Sequence, residues 1–207
     1  MSTVVIYGSG GHGKVVADVA EKAGLLIEGW IDNTKPFGTE VFGYPVLGDD
    51  TNAAEVVQGD RYIVIAIGDN NARRRLADFF SNHHARFVRV KHPSAIIARG
   101  AKIAEGVVVC AGVVINADAI IGKHSIINTG AIIEHDCRIG DYAHVASGVS
   151  MGGRVVIGDD SLIGTGASIR HDVKIGKGCI VGAGSVVVHD VPDGMVVVGN
   201  PAKQLIK

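Results

Sequence analysis

Aromatic residues are scarce in this 207-residue chain, at 5%, and so are proline, with five residues, and cysteine, with three. So few rings exclude a core built on large aromatics and suit one packed with small and aliphatic side chains. Five prolines beside 29 glycines do not make the Pro/Gly composition of a disordered chain. Cys110, Cys137 and Cys179 are odd in number and lack CxxC spacing, which argues against a disulfide framework or a zinc site. Twenty Lys and Arg face 21 Asp and Glu, so a net charge of -1 gives no bulk field to draw nucleic acid. No apolar run approaches the roughly 18 residues of a membrane span, and no basic, apolar, small-residue leader opens the sequence. The expectation is a soluble cytoplasmic protein.

What the chain does have is a repeat. Every sixth residue from Ile97 is aliphatic or Met: Ile103, Val109, Ile115, Ile121, Ile127, Ile133, and so on through Met151 to Val187. Two positions earlier the residue is small or short, as at Ala101, Ala119, Ser125, Ala131, Cys137 and Ala167. Gly often follows the aliphatic, as at Gly122, Gly140, Gly152, Gly158, Gly164 and Gly182. Strand side chains alternate between faces, so the aliphatic and the small residue two before it point the same way. One hexad cannot bury that face alone, but stacked coils bury it continuously.

The residue before each aliphatic should point outward. With three hexads to a coil, one outer face reads Val108, Ile126, His144, Leu162 and Ile180. A second reads Ile96, Val114, Ile132, Ser150, Ser168 and Val186, and a third Lys102, Ile120, Arg138, Val156 and Lys174. Stacked outward apolar residues need a cover. The first face is therefore expected to lie in a subunit interface, with His144 in its middle.

The first 90 residues read differently. Strands are expected at 3–7, 26–31, 61–67 and 86–90, with helices near 14–23 and 71–81. This alternation implies a small parallel α/β sheet. Gly8-x-Gly10-x-x-Gly13 follows the first strand, and Asp32 ends the second, as in a dinucleotide fingerprint. Too few residues precede the repeat for a complete two-half dinucleotide fold. The reading is half a site, for one nucleotide's phosphates at a helix N-terminus, not for NAD. The expected divisions are an α/β domain over 1–92, the repeat over 93–190, and a C-terminal cap segment over 191–207.

Both halves together resemble one group of bacterial sugar acyltransferases within the hexapeptide-repeat transferases. That group holds the sialic-acid O-acetyltransferase-like proteins and the nucleotide-sugar 4-amino N-acetyltransferases. The residues that carry the resemblance are Gly8-Ser9-Gly10-Gly11-His12-Gly13-Lys14, Ile31-Asp32-Asn33, Ile67-Gly68, Glu134-His135-Asp136-Cys137, His144, and Val198-Gly199-Asn200-Pro201-Ala202-Lys203. It implies a Rossmann-like half-domain followed by a left-handed parallel β-helix, assembled as a homotrimer with active sites between subunits. It implies acetyl-CoA as donor, no metal, and the amino group of a UDP-4-amino-4,6-dideoxy hexose as acceptor.

Roles follow from the chemistry. His135 suits a general base, since an unperturbed imidazole titrates near neutrality. A carboxylate beside it would fix its tautomer. The resemblance points to Asp136 for this, and Glu134 competes. His144 joins the catalytic set if neighbouring prisms pack edge to face. Gly10, Gly11 and His12 are expected to hold the diphosphate, with Asp32, Asn33 and Gly68 lining the same cleft. CoA is expected along Gly152, Gly153, Gly164, Gly182, Pro201 and Lys203, with the backbone N–H groups of Gly152 and Gly153 as oxyanion donors. Three other readings stay open: O-acetylation of a sialic-acid-type sugar, a β-helical zinc enzyme of the carbonic-anhydrase kind, and a non-catalytic scaffold.

Overall fold

The computed structural model describes residues 3–205. Its N-terminal part is built on β1 (Val4–Tyr7), α1 (Gly11–Lys22), β2 (Ile27–Ile31), β3 (Glu40–Val41), β4 (Tyr44–Gly48), α2 (Ala53–Val56), β5 (Tyr62–Ile65), α3 (Asn70–Asn82) and β6 (Arg86–Phe87). The sheet order is β3-β4-β2-β1-β5-β6, parallel apart from the β3–β4 pair. Strand order reverses at β1, whose neighbours are β2 and β5. A crevice opens at that point beyond the strand ends, where the loops at 8–11, 32–35 and 67–70 meet.

Two elements depart from the sequence reading. The β3–β4 hairpin was not expected. Phe42 (φ 52°) and Gly43 (φ 81°) form its tight turn, with positive φ at both central positions. The expected strand at 86–90 is split. Arg86–Phe87 edges the α/β sheet, while Val90–Lys91 pairs with Val108–Val109 and begins the second architecture.

That architecture is a left-handed β-helix of two-residue strands. Three parallel sheets wrap one core, in register at 18-residue steps: Val108 with Ile126, Val114 with Ile132, Ile120 with Arg138. The hexad aliphatics from Val109 to Val187 and the small residues two before them fill the interior. Ile97 and Ile103, at the open N-terminal end, are only half-buried. The last rung, Val196–Val198, takes Lys203–Gln204 as an antiparallel closing strand. Among the described residues no helix is long and apolar enough to cross a membrane.

The corners carry a second pattern. One edge is glycine in left-handed backbone, at Gly112, Gly130, Gly148, Gly166 and Gly184. The other two edges force L-residues into the same conformation. Asp118, Asp136, Arg154 and Asp172 line one, with φ from 57° to 64°, and His124, Tyr142 and Asp160 the other, with φ from 53° to 58°.

At its start the first outer face is covered by the chain itself, where a neighbouring subunit had been expected to supply the cover, while His144 and Leu162 are half-buried. Val108 and Ile126 are fully buried, and Val108 packs in one cluster with Val4, Ile6, Val16 and Val90. The chain runs from β6 into the first rung within two residues, so the α/β domain folds back onto that face. Only Ile180, the last of the row, stays 44% exposed.

A buried cation fastens this joint. Arg73 on α3 is 1% exposed. Its Nε donates to the His124 carbonyl (2.7 Å), Nη1 to Ile67 (2.8 Å), and Nη2 to Tyr142 (2.6 Å) and the Asn70 side chain (2.8 Å). Beside it Arg74 grips Asp160 through two bonds of 2.9 and 2.6 Å and lies 4.1 Å over the Tyr142 ring. His124 stacks on Tyr142, and burial pushes its pKa down to about 4.

Candidate active site

Two clusters of the expected residues form, one on an edge of the prism and one at its first outer face. The first is the corner at His135 and Asp136. Left-handed backbone at Asp136 turns its carboxylate back toward the preceding side chain. His135 Nδ1 donates to Asp136 Oδ2 at 2.8 Å, which leaves Nε2 as a free acceptor on a half-exposed ring. Asp136, rather than Glu134, makes this bond. One coil on, Gly153 lies against the ring: a Cβ there would come 2.5 Å from both Cε1 and Nε2 of His135. Gly153 has no positive φ, so alanine is barred only by the imidazole. Gly153→Ala is expected to lower kcat by about a hundredfold, through displacement of the imidazole expected to act as base, with a melting temperature within a few degrees of wild type. An unchanged kcat in a steady-state assay would separate Gly153 from the base.

The Gly152–Gly153 pair cannot serve as first expected. The Gly152 N–H is spent on the Ile169 carbonyl (2.9 Å), so it is not available to an oxyanion. Gly153 is left as the candidate donor. Gly164 and Gly182 likewise donate to Val181 and Val197. Their missing side chains have a packing reason: Cβ atoms would fall 2.6 Å from Val181 O and 2.7 Å from Val198 Cγ1. Pro201, after a cis peptide bond, and Lys203 sit exposed at the last rung.

The second cluster joins His12, Gly68 and His144. His12 is the second residue of α1, and its ring centroid lies 6.4 Å from that of His144. Burial first, and the charge of Arg73 second, push both imidazoles down to about 4; a hydrogen bond to the Gly68 backbone pulls His144 slightly the other way. Both are therefore neutral at pH 7. Asn128 Nδ2 stands 3.2 Å from His144 Nε2, while His12 Nε2 is buried without a partner. A cleft of about 200 Å³ lies one rung away, between Gly68–Asn71 and Asp160, Leu162, Gly178 and Ile180.

The crevice beyond β1, about 330 Å³, is lined by Tyr7, Gly8, Gly10, Asp32, Asn33, Thr34, Lys35 and Ile67. Gly13 is where α1 crosses β1 so closely that a Cβ would lie 2.0 Å from Gly8 O. Gly10 and Gly11 instead face open space, where a Cβ would meet nothing within 4 Å. Asp32 is buried and accepts from Ser9 N (2.8 Å), Thr34 N (2.8 Å) and both hydroxyls, which holds its carboxyl far below the usual range. It braces the crevice floor more than it faces outward.

Behind Tyr7 lies a pocket of about 400 Å³ that sequence reasoning missed, lined also by Asp50, Ala72, Arg75, Leu76 and Phe79. Asp50 accepts from the Tyr7 hydroxyl and the Asn33 amide. These residues come from three separate segments, and no local motif announces them. Among the described residues no group of three or more His, Cys, Asp or Glu is placed to hold a metal.

Comparison with known proteins fits this layout. The PglD N-terminal domain model matches residues 3–80, and the bacterial transferase hexapeptide (six repeats) model matches 118–153 and 154–189. A curated relative, UDP-N-acetylbacillosamine N-acetyltransferase of Bacillus subtilis (strain 168), is 39% identical over 107 residues, 50% of this chain; the match spans about half (49%) of that relative's length. A mutant of perosamine N-acetyltransferase from Caulobacter crescentus, solved with CoA and GDP-perosamine, is 40% identical with a TM-score of 0.94, covering 99% of this chain and 97% of its own. The acetyltransferase domain of PglB from Neisseria gonorrhoeae FA1090, solved with acetyl coenzyme A, is 37% identical with a TM-score of 0.92, and 98% of each chain is covered.

Proposed function

This chain belongs to that family of hexapeptide-repeat sugar N-acetyltransferases, and we propose on that premise that it moves the acetyl group of acetyl-CoA onto the amine of a nucleotide-linked amino sugar. The observation that carries the reading is His135, fixed by Asp136 through Nδ1 with Nε2 left free over Gly153. The neutral amine attacks the thioester carbonyl, and the carbonyl electrons move to oxygen. His135 Nε2 takes the proton that nitrogen must shed. Asp136 stabilises the imidazolium that forms. As the tetrahedral adduct collapses, the C–S bond breaks and the imidazolium returns its proton to the CoA thiolate. The Gly153 N–H is the candidate donor to the oxyanion.

The crevice over Gly10 and Gly11 suits the diphosphate, and His12, Gly68 and His144 stand where its sugar end would arrive. A UDP-linked 4-amino-4,6-dideoxy hexose is the first acceptor to try. A GDP-linked one follows, because GDP-perosamine is bound by a relative 40% identical. Gly164, Gly182, Pro201 and Lys203 mark the path for CoA along the prism. A donor kept in the cytoplasm implies a cytoplasmic enzyme. The experiment is acetyl-CoA with a panel of UDP-, GDP- and TDP-amino sugars and free sialic acid, with released thiol measured. Turnover only with sialic acid would replace the amine reading by the hydroxyl one, and none above a His135→Ala control would end both.

His135 sits on an edge of the prism and His144 on the first outer face, so the proposed site is completed by a neighbour in a homotrimer. Mixing His135→Ala with His144→Ala subunits is then expected to return activity that neither variant has alone, measured after co-refolding at several ratios. No recovery at any ratio would place each site within one chain.

A further inference from the structure

The edge that carries His135 holds the same motif again. His171 Nδ1 donates to Asp172 Oδ2 at 2.7 Å, as His135 does to Asp136, two rungs away. Between them, one rung from each, stands Arg154. Backbone bonds tie the three rungs in order, from Arg154 N to His135 O (2.9 Å) and from Asp172 N to Gly153 O (3.0 Å). Asp136, Arg154 and Asp172 share left-handed backbone, so their side chains leave the prism in one column, about 4.8 Å apart.

Arg154 therefore has a carboxylate on either side and binds only one. Its Nε and Nη2 reach Asp172 Oδ1 and Oδ2 at 2.6 and 2.8 Å, a two-pronged pair. Asp136 keeps its carboxylate for His135. The two His–Asp pairs are alike in chemistry, and the guanidinium tells them apart. The other charges around His135 are Glu134 on its own turn and Asp118 one rung before. Asp118 leans the other way, where a Cβ on Gly100 would come 2.2 Å from its Oδ1.

We propose that Asp172 is a positioning residue for the reaction: it holds Arg154 off Asp136, and so keeps the His135–Asp136 pair intact. This rests on His135 being the base. Without Asp172, the nearest carboxylate for Arg154 is Asp136. A guanidinium there would draw the carboxylate from His135 Nδ1 and set a cation beside the ring. Both changes disfavour the imidazolium that the reaction must form.

The test uses Asp172→Asn, the Arg154→Ala/Asp172→Asn double variant and His135→Gln, each checked for folding by thermal melt. Asp172→Asn is expected to lose about tenfold in kcat, with KM for acetyl-CoA unchanged and the acid limb of the pH–rate profile moved to lower pH. The added cation acts at an exposed site, so raising salt recovers part of the loss. The double variant, with no guanidinium to misplace, regains most of the wild-type kcat. A rung merely loosened by the missing carboxylate gives neither salt recovery nor rescue. Wild-type rates in Asp172→Asn, or a double variant as slow as the single, overturn the proposal. Substantial turnover by His135→Gln instead sinks the base assignment beneath it.

Discussion

His135→Gln is expected to lower kcat about a thousandfold while KM for acetyl-CoA stays within about threefold. Glutamine keeps much of the volume of the ring over Gly153 and can still donate to Asp136, but it cannot take a proton. The fall thus reads proton removal rather than lost packing. The attacking group needs no prior deprotonation if it is a neutral amine. The size of the loss accordingly reports whether shedding the proton from the tetrahedral adduct limits turnover. Steady-state thiol release against both substrates checks this. A loss under about threefold would mean that the sugar amine reacts without help from this imidazole, and that the corner only shapes the site.

The second large effect is on stability. Arg73→Met is expected to cost about 3 kcal/mol or more, measured by urea unfolding against wild type. Methionine fills part of the space but strands the carbonyls of Ile67, His124 and Tyr142 in a buried joint, at about 1–3 kcal/mol for each unmet group. Relief from burying a cation offsets some of this. Lysine does not substitute well, because one ammonium cannot span acceptors that the planar fork reaches together. The same change removes a positive charge that helps hold His12 and His144 at about 4. In any folded fraction, NMR titration should find those imidazoles displaced upward. A stability change below about 1 kcal/mol would show that the α/β domain is held to the β-helix by packing alone.

How much of this was legible in the sequence depends on range. The interior of the β-helix was readable residue by residue, because a two-residue strand and a fixed corner leave the side-chain alternation undisturbed over many coils. The partner of His135 was legible only through the family resemblance, which pointed to Asp136. Glu134 and Asp136 both adjoin it, and only the left-handed turn at Asp136 decides which carboxylate swings back. At the start of the first outer face the apolar row was visible while its cover was not. That cover arrives from α1 and the β1 region, more than 80 residues earlier. The Gly152 N–H looked free because a glycine gives no sign of where its backbone bonds. The β3–β4 hairpin hid for a smaller reason: its turn uses Phe42, a poor advertisement for positive φ. The pocket behind Tyr7 needed tertiary structure outright.

Seven corners of the prism seat an ordinary L-residue where glycine would be more comfortable, at about 1 kcal/mol of torsional discomfort each. Glycine at any of them relieves that strain but frees the unfolded chain by about 0.5–1 kcal/mol, so the main-chain effects nearly cancel and what is left reports chiefly on the lost side chain. The seven form a built-in calibration series. A corner whose side chain is idle should melt nearly unchanged as glycine, one that braces the two domains should melt lower, and one that serves the acetyl transfer should melt nearly unchanged and work worse.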